Sequence, residues 1–198
     1  MAVIGMRYPV AAPITTETEG AALVYGTGVV IAKAIRANFT YNRNDNPLYA
    51  DDTIAENYNG LTGYDIELEV DKLPDAVRVA ILGETEVTTS SETYYEQTDA
   101  SAPYCGFGFM RVLRENGTDK YQAVWCHKVQ FSEPSEETTT KGETIEWGTP
   151  TLNAVGMGVR NDATGRIKYR IHETFDTPAA ALAWLNTKAN ISTTITTT

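Results

Sequence analysis

Two histidines and two cysteines carry the most versatile chemistry in this 198-residue chain, and their spacing gives them little to do together. Cys126 and His127 adjoin within a stretch that alternates like a strand, where neighbouring side chains point to opposite faces. They therefore form no thiolate–imidazole pair there. Neither His127 nor His172 stands in the spaced Cys/His cluster that zinc requires. Asp51-Asp52 is an adjacent carboxylate pair in a turn-rich segment, a setting in which aspartates cap backbone N–H groups or face solvent. Asp65, Glu67 and Glu69 share one strand face and could draw a cation, but a row of this kind more simply makes a wet surface. Gly26-Thr27-Gly28 precedes a strand instead of opening a helix, so it cradles no phosphate, and there is no P-loop or G-x-S-x-G motif. The Asn-x-Ser/Thr triplets at Asn38, Asn116 and Asn190 are short enough to arise by chance. The expectation is a protein that is not an enzyme, with no catalytic residue, metal ligand or cofactor.

The elements that would carry these residues are mostly strands. Val29, Ile31, Ile35, Phe39 and Tyr41 alternate on one face of Val29–Tyr41, with Lys33 the exception. Tyr64, Ile66, Leu68 and Val70 alternate against Asp65, Glu67 and Glu69 in Leu61–Val70. This period of two describes half-buried antiparallel structure. Between the strands lies NRNDNPLYADDTIAENYNG, a polar, turn-rich connection that holds Leu48 and Tyr49, which a merely solvated loop has little reason to keep. A shorter strand is expected at Ala22–Tyr25. Asp71 to Asp75 introduces a short helix with Pro74 near its first turn, a stripe of Val77, Ala80 and Ile81, and Gly83 at its end.

Glu84–Pro103 is polar and reads as an edge strand, a loop or both. Tyr104–Glu115 and Lys120–Phe131 form the clearest hairpin, turning at Asn116-Gly117. Phe107, Phe109 and Leu113 alternate on one arm; Tyr121, Trp125, Val129 and Phe131 alternate on the other. A loop of two or four residues places Cys105 and Cys126 on one face, and a loop of three on opposite faces. Either way two cysteines make no disulfide framework, and reduced, buried thiols are expected. Ser132–Thr144 is acidic and breaker-rich, an exposed loop. Thr151–Arg160 and Arg166–Phe175 follow as two strands joined by a turn at Asn161–Gly165, and Thr177 caps a second helix over Ala179–Ala189 with Ala181, Leu182, Leu185 and Ala189 as its stripe. Antiparallel strands with two short helices make a mainly β (α+β) fold, a β-sandwich or open barrel.

Bulk composition narrows the classes further. A hydrophobic share of 42% and a charged share of 21% are ordinary for a globular domain. A net charge of −10 argues against a conventional nucleic-acid binder, yet suits a surface that DNA passes without sticking. No run approaches the length of a membrane span, and the N-terminal stretch does not read as a signal peptide. The acidic face of Leu61–Val70 and the basic face of Arg166, Lys168 and Arg170 form opposed single-sign stripes. They are candidates for a charged interface across a protomer boundary or for a lumen face, against the plainer reading of sheet neighbours or separately solvated faces.

The strand order, the segment Leu48-Tyr49-Ala50-Asp51-Asp52, the helix after Val70 and the late pair of strands resemble the major tail (tail tube) proteins of long, non-contractile-tailed bacteriophages and prophages of Gram-positive hosts. The resemblance spans about Gly20 to Ala189. It implies one tail-tube domain over residues 1–198, with a flexible N-terminal arm (1–20), a long loop (42–60) and a C-terminal tail (190–198). Such a subunit closes into rings, by implication hexameric, that stack into a hollow virion tube conducting DNA into the host. The loop residues Asn46, Pro47, Leu48, Tyr49, Asp51 and Asp52 would bridge rings or subunits. Implied partners are further copies of the chain, the tail-tip initiator, the tape measure and the tail terminator proteins. Double-stranded DNA would pass without specific binding, and the chain would not insert in a membrane. It would be made in the bacterial cytoplasm and reside in the phage tail. The alternative from another class is a β-sandwich adhesion or carbohydrate-binding module using Tyr94, Tyr95 and Trp147.

Overall fold

Strands β8 (Tyr104–Glu115) and β9 (Thr118–Ser135) are the centre of the sheet in the computed structural model, which describes residues 2–135, 148–160 and 165–192. They meet in a two-residue turn whose Asn116 and Gly117 both have positive φ, 49° and 82°. Asn-Gly is favoured there because this backbone matches the twist of the flanking strands. Around this hairpin the chain builds β1 (Ala2–Thr16), the two-residue strands β2 (Val24–Tyr25) and β3 (Val29–Val30), β4 (Ala34–Ala50), β5 (Thr53–Val70), β10 (Thr151–Met157) and β11 (Arg170–Phe175). All pair antiparallel in one nine-stranded sheet of order β2-β1-β8-β9-β10-β5-β4, with β3 on β1 and β11 on β9. The sheet folds over itself as an open sandwich and does not close into a barrel. A separate hairpin, β6 (Thr85–Thr88) and β7 (Thr93–Glu96), occupies part of the polar Glu84–Pro103 stretch.

Two cores result. The larger fills the interior of the sandwich with Ile66, Leu68, Phe107, Phe109, Val124, Phe131 and Leu152, and helix α1 (Asp75–Leu82) adds Val77, Ile81 and Leu82. The smaller lies on the outer face of β8 and β9, where Trp125 and Met110 meet Ala181, Leu185 and Ala189 of helix α2 (Pro178–Lys188). Both helices begin and end as their punctuation requires. Thr177 Oγ1 accepts from Ala180 N at 3.3 Å, Pro178 takes the first turn, and Gly83 closes α1 with φ 79°.

Several expectations are corrected, each by a local irregularity. The segment expected as a flexible arm over residues 1–20 is instead β1, paired with β8 from Ala2 to Pro13. Tyr8 has φ 56° beside a register shift, so Met6 packs into the larger core while Val10 and Ala12 pack into the smaller one. Ala11 faces the larger core again, leaving four consecutive buried residues, Pro9 to Ala12, and no alternation to read. A second bulge, at His127-Lys128 opposite Gly106, splits the expected Trp125–Val129 face: Trp125 lies under α2 and Val129 in the sandwich interior. A third, at Ile35 within β4, turns that side chain out to 53% exposure, and a separate break over Ile31–Lys33 divides Val29–Tyr41 into β3 and β4.

The two late strands do not form a hairpin along their length. They share one bridge, Val159 with Lys168, then lie end to end on the same edge of β9, β10 against residues 128–135 and β11 against residues 121–126. Ser132–Ser135 belongs to β9 instead of the expected acidic loop; the rest of that loop, Trp147, Asn161–Thr164 of the turn, and 193–198 of the tail lie outside the described residues.

Glycine opposite aromatic ring is the recurring packing device. A Cβ on Gly106 or Gly108 would sit 2.2 Å or 2.6 Å from the Trp125 indole, and one on Gly156 would sit 2.1 Å from the Tyr64 ring of its cross-strand partner. Gly156→Ala is therefore expected to cost about 1–3 kcal/mol, the range for overpacking, in a denaturant titration. Cys105 and Cys126 face the same interior core as free thiols, and burial pushes them up to about 12 and about 11 respectively. Neither should react with a thiol reagent at pH 8 in the native state, and both should react at once in denaturant.

Candidate functional site

The segment expected as a long loop over residues 42–60 is the outer half of the β4–β5 hairpin. Pairing runs without interruption of the ladder's direction from Ala34↔Val70 to Ala50↔Thr53. β10 accompanies β5 only over Tyr64–Glu69, so beyond Arg43↔Leu61 each strand has the other as its sole partner among the described residues. The result is a two-stranded ribbon about 23 Å long, at ~3.3 Å per residue. Its base is tied down by polar contacts. Tyr169 donates its hydroxyl to Leu61 O at 2.6 Å, Thr62 Oγ1 donates to Asn42 O at 3.0 Å, and Arg43 donates to Asn59 Oδ1 at 3.1 Å.

The ribbon's apolar residues are exposed: Leu48 by 60%, Tyr49 by 66%, Ile54 by 58% and Tyr58 by 70%. Register assigns them to both faces. Asn46 pairs with Tyr58 and Leu48 with Glu56, which puts Leu48 and Tyr58 diagonally on one face. Tyr49, next along β4, points the other way and pairs with Ile54. An isolated two-stranded hairpin is marginal in water, and this one carries apolar side chains that the described residues leave bare on two sides. Pro47 lies on β4, an edge strand, where a missing N–H is tolerated.

At the tip, Asp51 and Asp52 occupy both turn positions with φ 50° and 61°. Asn-Gly serves at the equivalent β8–β9 turn, and aspartate bears the left-handed conformation less easily than glycine. An acidic pair is thus held at a conformational cost. Local rules of this kind are broken most often where function demands it.

The other charged candidates separate in space. Asp65, Glu67 and Glu69 do share the outward face of β5, and the neighbouring strand serves them. Arg36 reaches Glu67 at 2.7 Å and Glu69 at 3.8 Å, Asn42 Nδ2 donates to Asp65 at 2.9 Å, and Thr149 Oγ1 donates to Glu69 at 2.7 Å. Arg166 and Lys168 lie exposed ahead of β11. Arg170 leaves them and stacks on the Tyr41 ring, with 5.2 Å from its Cζ to the ring centroid, beside half-buried Arg111. Sequence reasoning missed Arg111. Its signal was a charged residue on the Phe107–Phe109–Leu113 face, where every other alternating position is apolar.

Nothing among the described residues gathers three or more metal-ligating side chains. His127 is half-buried near the Lys188 and Lys168 charges, and partial burial, more than those charges, lowers its pKa. Tyr94 and Tyr95 are successive residues of β7 and so project to opposite faces. Exchanging Asp51-Asp52 for Asn-Gly should relax the turn and raise stability by about 0.5–1 kcal/mol, read as an upward shift in the melting temperature of the dilute protein. A scan of protein-family models finds no match to this chain, and a search of curated proteins finds no significant relative.

Proposed function

We propose that this chain is a structural subunit that assembles with copies of itself into stacked rings forming a tube of the phage-tail type, a conduit through which DNA is delivered. The observation that carries the reading is the ribbon with exposed apolar side chains on both faces. Covering four such side chains is worth on the order of 4–8 kcal/mol. Association costs a comparable amount, so one ribbon contact binds weakly and repetition around a closed ring supplies the rest. Assembly should accordingly be sharply dependent on concentration.

Two further features support the same reading. Among the described residues no strand pairs with the outer edge of β4 from Ala34 to Ala50, and long bare edges pair with another chain unless protected. The net charge of −10 gives any DNA that passes along an assembly of these subunits little to adhere to.

A shortened variant tests the reading. The register pairs Asn46 with Tyr58, so replacing residues 47–57 by an Asn-Gly turn removes the ribbon's outer part and leaves the ladder below it intact. That variant should melt cooperatively, within a few degrees of the parent protein, and stay monomeric in sedimentation at concentrations where the parent forms hollow rings or tubes by negative-stain microscopy. Tubes of normal width from the shortened chain would overturn the role given to the ribbon.

A further inference from the structure

The interior of the sandwich changes character along its length. At one end α1 packs on it, with Cys105 Sγ lying 3.8 Å from Ala80 O. Six residues further along β8, about 20 Å away at ~3.3 Å per residue, the inward position is Arg111. Here β1 and β4 come together across the mouth of the open sandwich without pairing, and a cleft of about 400 Å³ remains between them. Val3 and Met6 line one side, Phe39 and Tyr41 the other, and Arg111 and Arg170 close its floor and rim.

The two arginines are incompletely matched. Arg111 Nε is buried without a hydrogen-bond partner, and the Tyr64 ring lies tilted against Tyr41 and Phe39 behind it. Among the described residues no carboxylate forms an ion pair with Arg111 or with Arg170; their near neighbours are aromatic rings, Phe109 under Arg111 and Tyr41 under Arg170. Two like charges facing one another in a half-buried cleft are costly unless an anion joins them. Burial, and Arg170 after it, lower the pKa of Arg111.

We propose that this cleft is the receptor for the Asp51-Asp52 turn of a second copy of the chain. The inference rests on the self-assembly reading and gives it a specific contact. The turn supplies two carboxylates on a narrow tip, and Leu48, Tyr49 and Ile54 behind it supply the apolar and aromatic surface that Val3, Met6 and Tyr41 can cover. Guanidinium groups bind carboxylates through paired, directional hydrogen bonds, which also explains why an acidic turn is kept where Asn-Gly would be easier. Tip and cleft are different surfaces of the same molecule, so the contact is head-to-tail and propagates from copy to copy. The cleft lies at the foot of the molecule's own ribbon, since Tyr41 precedes Arg43 by two residues on β4. Each contact thus leads from one ribbon's tip to the next ribbon's base.

A photo-cross-linking amino acid at Tyr49, in the full chain, tests this with mixed light- and heavy-isotope copies. Mixed-isotope cross-links to peptides bearing Val3–Met6, Phe39–Tyr41, Arg111 or Arg170 are expected. Arg170→Glu, at an exposed position, should fold normally by circular dichroism and raise the concentration needed for assembly about tenfold or more. Adding Asp52→Arg to it should recover most of that loss. Tubes whose Tyr49 cross-links map elsewhere, or an Arg170→Glu chain that assembles like the parent, would overturn the cleft assignment and leave self-assembly standing. A parent chain with no assembly at any concentration and no intermolecular cross-link would overturn both.

Discussion

Strand β9 is the constraint on which the rest of the molecule depends, because its backbone is paired along both edges and its side chains are buried on both faces. β8 occupies one edge, while β10 and β11 share the other end to end. A strand in that position admits no slippage, since a shift of one residue would exchange the Trp125 layer beneath α2 with the Val124 and Cys126 layer of the interior. The bulge at His127-Lys128 makes the arrangement possible. It adds local twist at the point where β10 gives way to β11, and Tyr169 O accepts from His127 N there at 3.0 Å. Trp125 then needs room across β8, which Gly106 and Gly108 provide by having no side chain.

From this follows the projecting ribbon. β10 ends its pairing with β5 at Tyr64, where Gly156 lets the tyrosine ring lie over it, and beyond that point no other strand among the described residues accompanies β4 and β5. The ladder nevertheless continues to Ala50↔Thr53, because cross-strand pairing and a two-residue turn sustain it locally. A fold that extends a hairpin past its own core, and sets exposed tyrosines, a leucine and an isoleucine along it, leaves hydrophobic stabilisation unrealised in the isolated subunit. The same geometry opens the sandwich between β1 and β4, so that the ribbon and the cationic cleft arise from a single event, the failure of the sheet to close.

The charge distribution shows why strand parity alone is a poor guide to interfaces. The carboxylates of β5 form the stripe that alternation implies, yet Arg36 and Asn42 of β4 already engage them, which makes a wet, locally satisfied surface. Exposed pairs of this kind contribute little to stability and leave little charge to direct a partner. Of the two arginines that have no ion-paired carboxylate among the described residues, Arg111 lies inward at the end of the apolar core, where solvent screens it less, and Arg170 lies at the exposed rim.

What the sequence determined by itself is whatever short-range physics controls. The alternation of Tyr64 to Val70 against Asp65 to Glu69 marked a half-buried strand, Asn116-Gly117 a two-residue turn, and Thr177-Pro178 and Gly83 helix ends; all are set by side chains within a few residues of one another. The mainly antiparallel β class followed from these, and Leu48 and Tyr49 stood out as too apolar for their surroundings. Tertiary structure alone decided the rest. β1 was hidden because burial on both faces and a bulge at Tyr8 erase the period of two. The Arg43–Gly60 segment was hidden because its Asn- and Asp-rich composition resembles a loop until each strand is seen to supply the other's hydrogen bonds. Arg111 and Arg170, far apart in sequence, share a cleft only because β8 and β11 both pair with β9, and such long-range pairing is written in no local pattern.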